Sequence, residues 1–468
     1  MKRTREEADA RMSSHCESSA LKTILGNSDS SIDDFFKSVY QENPKLYRAQ
    51  TIHGSNFCPI LKNVLLMGFD GIANMLEESR CFLGEDLEEN INTPLFFQNQ
   101  TILHPPEIHS LYHNSPFAAY LDSCSIVNNH ADLLSPPLAA LSLNLQHSFP
   151  HVYINTYLTP PKAAAVMAHA DDRDVFVIQI EGKKHWKVYD SPILFPYTNE
   201  QVGKNGLPVP KEILEAEPLI DVILHPGDVL YMPRGYVHEA ETGTDAPSFH
   251  ATVAIATHDW SLSRTISSMV AKELDSNVEF RKAVPPNVGT SNHVCEQDRK
   301  MLEDMVANAK SIIEKCINVE TISAQLREKY DRHNNMMKEK RLSLSSKDTI
   351  LHEVPLIDGC ITTGPYAARF IRLASVVRAS TTKERASVPP PMSGQPPGLR
   401  VRDDSWDALM TILNWVKTYT FEDCRVSDLR KIWKESNFQG DVSNICDFTL
   451  LSFVKTCVSL GAIAMALP

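Results

Sequence analysis

Two stretches decide the fold: HADDRDVFVIQIEGKKHWKVYD at 169–190 and PGDVLYMPRGYVHEAET at 226–242. In the first, a His-Ala-Asp triplet precedes the β-branched run Val175–Ile180, then a glycine turn and a second run, Lys184–Tyr189. In the second, Pro-Gly-Asp and Pro-Arg-Gly turns bracket a short apolar run and deliver His238 just beyond it. Working outward, HVYINTYLT (151–159) and SFHATVAIAT (248–257) read the same way. Apolar and polar residues alternate in several of these runs, as in strands with one buried face. Many such runs between about 95 and 260, broken by Pro and Gly, predict a barrel or a two-sheet jelly roll.

Helical patterns flank this β region. Phe35, Phe36, Val39 and Tyr40 recur at helical spacing, and another helical stretch covers 71–79. After Trp260, residues 261–279, 294–316 and 319–342 read as three helices. Met301, Met305, Ala309 and Ile312-Ile313 form an apolar stripe on the second, to be closed by its own helices or by a second subunit. Residues 1–30 are polar and serine-rich and predict a disordered arm. Residues 379–402 have the Pro, Ser and Gly content of a linker. The last block predicts helices near 403–419, 426–436 and 445–460, a number compatible with a winged-helix unit.

A net charge of −12 disfavours a chain-wide polyanion-binding role. The final block from 403 carries six Lys and Arg against nine Asp and Glu, without the basic footprint of a nucleic-acid module. Residues 366–402, with seven basic residues and one acidic, are the only stretch suited to contact nucleic acid or a ribosome, and a solvated linker accounts for them. No apolar run approaches the roughly 20 residues needed to cross a bilayer, which predicts a soluble, intracellular chain without a membrane partner. The ten cysteines form no Cys-x-x-Cys pair and predict reduced, mostly buried thiols.

Two histidines and one carboxylate on a small barrel can hold Fe(II) and leave coordination positions open. His-x-Asp/Glu occurs three times here, at His15-Cys-Glu17, His130-Ala-Asp132 and His169-Ala-Asp171, where chance alone supplies about two. Context separates them. The first lies in the arm, and the second runs into Leu-Leu-Ser-Pro-Pro with no strand after it. Only His169-Asp171 precedes a strong strand and is followed, 69 residues after His169, by a histidine on a later strand, His238. On the strand 184–189, Lys184 and Trp186 share one side while His185 and Lys187 share the other.

These stretches resemble the JmjC-type ribosomal oxygenases, most specifically across about 150–260 and more weakly over the whole order of parts. The resemblance implies an α+β protein built on a double-stranded β-helix (cupin/JmjC jelly roll) with helical flanks. The divisions it implies are an arm at 1–30, a catalytic domain at 31–260, a helical homodimerisation domain at 261–345 and a winged-helix-like domain at 346–468 that contains the 379–402 linker. Family members hydroxylate protein side chains with Fe(II), 2-oxoglutarate and O₂. His169, Asp171 and His238 match the metal ligands, and Lys184 matches the cation that pairs with the distal carboxylate of 2-oxoglutarate. Asn155 and Tyr157 match polar residues facing cosubstrate and substrate. A cation suits the distal end of a dicarboxylate that chelates iron at its other end.

His250, in Ser-x-His-x-Thr, reads first as a structural histidine. Two residues beyond Thr252 the family usually carries a serine, and here the residue is Ala254. Losing a hydroxyl from a built site can change selectivity greatly. Asp172 and Arg173 either pair with each other or meet a basic substrate. The functional expectation is a protein hydroxylase acting on a ribosomal protein, histidine by resemblance, in the nucleus or nucleolus. The alternatives are a methyl-lysine demethylase and a catalytically inactive cupin-like scaffold.

Overall fold

The computed structural model describes residues 19–345 apart from 27–28, 50–56, 81–93, 105–106, 109–111, 113–114, 205, 256–257, 285–287 and 289–294. It further describes 360–363, 377–379, 400–402, 424–425, 446–459 and 463–466.

Strands β1 (Lys45–Tyr47), β2 (Pro94–Gln98), β3 (Thr101–Ile102), β4 (Ser125–Asn128), β5 (Val152–Thr159) and β6 (Asp174–Gly182) precede the first turn into the small sheet. That sheet is built from β7 (Lys184–Val188), β8 (Ile220–Leu224) and β10 (His238–Thr242), with β9 (Val229–Met232) and β11 (Ser248–Ile255) returning to the large one. The large sheet has eight strands in the order β1-β9-β6-β11-β5-β4-β2-β3, and the small sheet runs β10-β7-β8. Neighbours in both are antiparallel. The protein is a double-stranded β-helix with helical flanks, the form that the resemblance implies and one of the two, barrel or two-sheet jelly roll, that its alternating runs allow.

Strand periodicity sorts the side chains into two layers. On the large sheet's inner face, Tyr153, Val175, Val177, Leu230, Met232 and Ala254 pack against Trp186, Val188 and Leu224 of the small sheet. On its outer face, Ile154, Phe176, Ile178, Tyr231, Phe249 and Val253 join one large apolar core with the flanking helices. β6 and β11 are buried on both faces and lie centrally, whereas β7 alternates buried and half-exposed positions as the reading of 184–189 requires.

The N-terminal expectation needs correction. Residues 1–18 lie outside the described residues, but Ala20–Ile24 form a helix whose Ser19 side chain accepts from the Lys22 N–H. Leu21 is fully buried, and the Ala20 N–H donates to Asn144 Oδ1 at 2.8 Å. One helical turn is too short to show a period, so composition alone ran the arm past it.

The three helices expected after Trp260 are present at Leu262–Ser276, Glu296–Cys316 and Val319–Ser345. The third is fastened to the core by Arg341, whose Nε donates to Asp132 Oδ2 at 2.6 Å and whose Nη2 donates to the Val152 carbonyl at 2.8 Å. Both partners are essentially inaccessible to solvent.

Asp447–Ser459 matches the helix expected near 445–460, and its Phe448, Leu451 and Phe453 enter the main apolar core. There Tyr120 Oη and Thr449 Oγ1 lie 2.9 Å apart. The other two expected helices, 403–419 and 426–436, lie outside the described residues. β13 (Val377–Ala379) pairs in parallel with β14 (Arg400–Arg402), so the two ends of the 379–402 stretch lie side by side. β12 (Cys360–Thr363) joins β15 (Cys424–Arg425) to β16 (Ile463–Ala466). Cys58, Cys124, Cys295, Cys316, Cys446 and Cys457 are not in disulfides, and the first two and the last are buried.

Removing one partner of a buried, hydrogen-bonded ion pair strands the other. Arg341→Ala should therefore cost about 3–5 kcal/mol of unfolding free energy in urea titrations. The double change Arg341→Met with Asp132→Leu should recover only part of that loss, because the Val152 carbonyl and the Ile154 N–H each lose a partner as well.

Candidate active site

The triad is assembled by backbone bonds before any side chain is considered. His169 and His238 exchange two of them, His169 N–H to the His238 carbonyl at 3.1 Å and the reverse at 2.9 Å. The Ala170 N–H donates to the Val202 carbonyl, and the Gly235 N–H to the Asp171 carbonyl, each at 2.9 Å. Gly203, at φ +78°, lies so close that a β-carbon there would sit 2.7 Å from His169 Cα, so the turn needs glycine for both reasons.

The donor atoms of His169, Asp171 and His238 all lie within 4.8 Å of one another. His169 Nε2 is 3.8 Å from Asp171 Oδ1, and His238 Nε2 is 3.7 Å from Asp171 Oδ2. Each imidazole turns its other nitrogen to a backbone carbonyl, His169 Nδ1 to Met167 at 2.7 Å and His238 Nδ1 to Tyr236 at 3.2 Å. A carbonyl only accepts, so Nδ1 carries the proton in both rings and Nε2 offers its lone pair to the common centre.

The electrostatics favour the same state. Burial, with help from His238 and Lys204, pushes the His169 pKa down to about 3, and burial also lowers that of His238. Burial would raise the Asp171 carboxyl, but Lys204 and the two imidazoles outweigh it and hold the group below the ordinary range. Neutral imidazoles and an ionised carboxylate are the forms that bind a cation.

Deeper in the cup, Lys184 is 2% exposed and donates to Thr159 Oγ1 at 3.1 Å. Its ammonium stands 5.8 Å from the Trp186 ring, and among the described residues no carboxylate pairs with it. Burial lowers its pKa to about 7. Tyr157 and His250 stack beside it, with ring centroids 4.8 Å apart and planes 2° from parallel. Register pairs the two residues across β5 and β11, and the His250 Nδ1 is buried without a partner. His250 is thus a wall of the Lys184 chamber rather than a residue of the outer core. That inner chamber, of about 50 Å³, is lined by the triad, Tyr157, Lys184, Trp186, His250 and Thr252.

An outer chamber of about 510 Å³ opens from the other side of Asp171 and shares Tyr157, Val175 and Thr252 with the first. Asn155 lines it, well separated from Lys184, and its Oδ1 accepts the His130 N–H at 3.1 Å. That bond helps hold His130 in a left-handed backbone conformation, φ +49°. Ala254 faces the same chamber opposite Tyr153. The Asp172–Arg173 alternatives resolve to a pair, 2.7 Å apart, and Arg173 also reaches the Tyr153 hydroxyl and lies over its ring.

The structure brings His169, Asp171, His238, Lys184 and Tyr157 to one cavity and puts Asn155 on the outer rim. Reading the sequence missed Lys204, whose Nζ bonds Asp171 Oδ1, and Thr159, the hydroxyl beneath Lys184. Lys204 sits in an irregular loop 33 residues from Asp171, where no local pattern marks it. Thr159 was findable, because it shares a strand face with Asn155 and Tyr157.

Among known proteins, residues 139–262 match the family model of the JmjC domain. Ribosomal oxygenase 1 of Gallus gallus is 30% identical over 224 residues, 44% of this chain and 35% of that protein. The bifunctional lysine-specific demethylase and histidyl-hydroxylase NO66 of Culex quinquefasciatus is 26% identical over 315 residues, 64% of this chain and 44% of that protein. The chain thus spans less than half the length of these curated relatives. Among solved structures, the Escherichia coli protein YcfD is 17% identical with a TM-score of 0.42, covering 93% of this chain and 98% of that one.

Lys184 has a folded pKa of about 7 against an ordinary 10.5, so between these values the unfolded chain binds more protons. Stability of the ligand-free protein should therefore rise from pH 7 to pH 9, by up to about 1.4 kcal/mol per pH unit. Urea melts of wild type and Lys184→Met at both pH values check this, the variant lacking that part of the slope.

Proposed function

We propose that this chain is an Fe(II)- and 2-oxoglutarate-dependent protein hydroxylase acting on a ribosomal-protein side chain. The observation that carries the reading is the pairing of two Nε2 lone pairs and one carboxylate with a buried ammonium that has no carboxylate of its own. The residues fit the group. Two imidazoles and one carboxylate suit Fe(II) with positions left open, and Lys184 with Thr159 suits the far carboxylate of a dicarboxylic acid. With 2-oxoglutarate and O₂, the bound iron supplies the oxidising power for inserting oxygen into a C–H bond.

The rest falls to this chain. His169, Asp171 and His238 would hold the metal, kept in place by the backbone bonds between their segments. Lys184 and Thr159 would hold the cosubstrate, and the Tyr157–His250 stack with Trp186 would keep water from its carbon chain. The target side chain would enter the outer chamber past Tyr153, Asn155 and Ala254. The relatives' names supply the substrate class, ribosomal protein, and histidine as the residue.

Demethylation is the second reading, favoured by the name of one relative. Against it, Arg173 already covers the ring of Tyr153, the aromatic face that a methyl-ammonium would need. A complete donor set also argues against an inactive scaffold.

The domain scheme of catalytic, dimerising and winged-helix-like parts belongs to the same proposal, as does nuclear or nucleolar placement. Homodimerisation is supported by the helix Glu296–Cys316, whose apolar stripe is only partly covered by the described residues: Met301 is exposed, and Met305, Ala309, Ile312 and Ile313 are half-buried.

Isothermal titration with Mn(II) and 2-oxoglutarate tests the reading. Wild type should bind both. His169→Ala should lose the metal, and Lys184→Met should keep the metal but lose about 10- to 100-fold in 2-oxoglutarate affinity, as expected when a charge-assisted contact is removed. Affinity for 2-oxoglutarate should also fall about fivefold from pH 7 to pH 8, because the anion binds the charged lysine. Mass spectrometry of ribosomal-protein and methylated histone peptides then separates oxygen gain from methyl loss. No metal-dependent 2-oxoglutarate binding would end the proposal.

A further inference from the structure

Outside the catalytic cup the described residues enclose another cleft of about 510 Å³, between the strand-built core and two of the helices. Leu262–Ser276 contributes Arg264 and Ser268, while Val319–Ser345 contributes Gln325, Lys329, Arg332 and His333. Spacings of three and four place each set on a single helical face. Facing surfaces of helices packed on a core are ordinarily apolar, yet these bring three permanent cations together.

The charges are not matched within the cleft. Among the described residues lining it, Asp259 is the one carboxylate, and its side chain lies 2.7 Å from His258 Nε2. Lys329 lies over the Trp260 ring at 4.6 Å and donates to the backbone carbonyl of Asp259, whose carboxylate acts on it electrostatically without forming an ion pair. Arg264 lies over the Tyr197 ring at 5.0 Å, and Arg332 pairs with Glu328 of its own helix. Arg332 thus has an anion beside it, but aromatic faces and a carbonyl compensate Arg264 and Lys329 less well than an anion would, so the cleft retains positive potential.

Its position indicates the occupant. The His151 ring lies 3.8 Å from that of His333 inside the cleft and 5.6 Å from that of Tyr153. Tyr153 in turn lines the outer catalytic chamber opposite Ala254. One continuous wall of Tyr153, His151 and His333 thus runs from the catalytic mouth into the basic cleft. A polypeptide with its target side chain in the mouth would pass along that wall.

We infer that the cleft is an exosite for acidic residues of the protein substrate that flank the oxidised residue. This rests on the hydroxylase reading, and it adds a recognition element remote from the metal. It makes selectivity depend on sequence around the target as well as on the target's own shape.

The test uses the full chain loaded with Mn(II) and 2-oxoglutarate. Fluorescence anisotropy follows fluorescein-labelled hexaglutamate, with a hexauridylate RNA as the competing anion. Hexaglutamate should bind wild type and lose about tenfold or more in affinity in Arg264→Glu with Arg332→Glu, whereas the paired lysine variants should retain most of it. Absent binding, or binding indifferent to the charge reversal, overturns the exosite. Tighter, cleft-dependent binding of the RNA overturns it in favour of a nucleic-acid site. With Fe(II) in place of Mn(II), O₂ present and ribosomal-protein peptides as substrates, the charge-reversed protein should show raised KM for acidic-flanked targets and unchanged kcat. Metal-dependent 2-oxoglutarate binding, read on the same samples, reports on the catalytic reading separately. Its absence would sink that reading whatever the hexaglutamate titration shows.

Discussion

The two backbone hydrogen bonds between His169 and His238 are the constraint on which the site depends. They join a loop that precedes β6 to the first residue of β10, bridging 69 residues of chain with one antiparallel pair. Their effect on chemistry is indirect but decisive. With the two Cα atoms fixed, and each Nδ1 tied to a nearby carbonyl, the imidazoles have little freedom left and both Nε2 atoms must converge. The Gly235 bond to the Asp171 carbonyl brings the third donor under the same control. The site is therefore organised by main-chain geometry, at little cost in side-chain ordering.

Against this rigid frame stands one energetically unfavourable element. Lys184 is an ammonium sealed between two sheets with a hydroxyl and an indole for company. Burying a charge without a counter-charge lowers stability, and such features persist where function requires them. The double-sheet fold tolerates it because the outer face of the large sheet, with its helices, supplies an extensive apolar core elsewhere. Stability and reactivity are thereby divided between the two sides of one sheet.

Much of this was legible in the residues. Alternation and turn chemistry identified the strands, and strand context picked, among three, the His-x-Asp that the fold brings together with His238. Parity along 184–188 put Lys184 and Trp186 on the buried side. What escaped had physical reasons. Lys204 reaches Asp171 from an irregular loop, and tertiary neighbours of that kind leave no period. The helix at Ala20–Ile24 is one turn long. His250 reads alike as core or as cavity wall, because both put it on the buried side of its strand, and only the closure of the second sheet separates them.

The Arg341–Asp132 pair bears on where the smallest working piece of this protein ends. Asp132 supports the chamber rim twice, accepting the Ile154 N–H and lying two residues from His130. Its counter-charge comes from 209 residues away, near the far end of the third helix after the β region. A fragment cut to 139–262, the stretch that matches the JmjC model, would lack both halves of this link and take the Arg341 donor from the Val152 carbonyl. The strand-built cup is thus not autonomous: the helix that carries Arg341 forms part of its foundation.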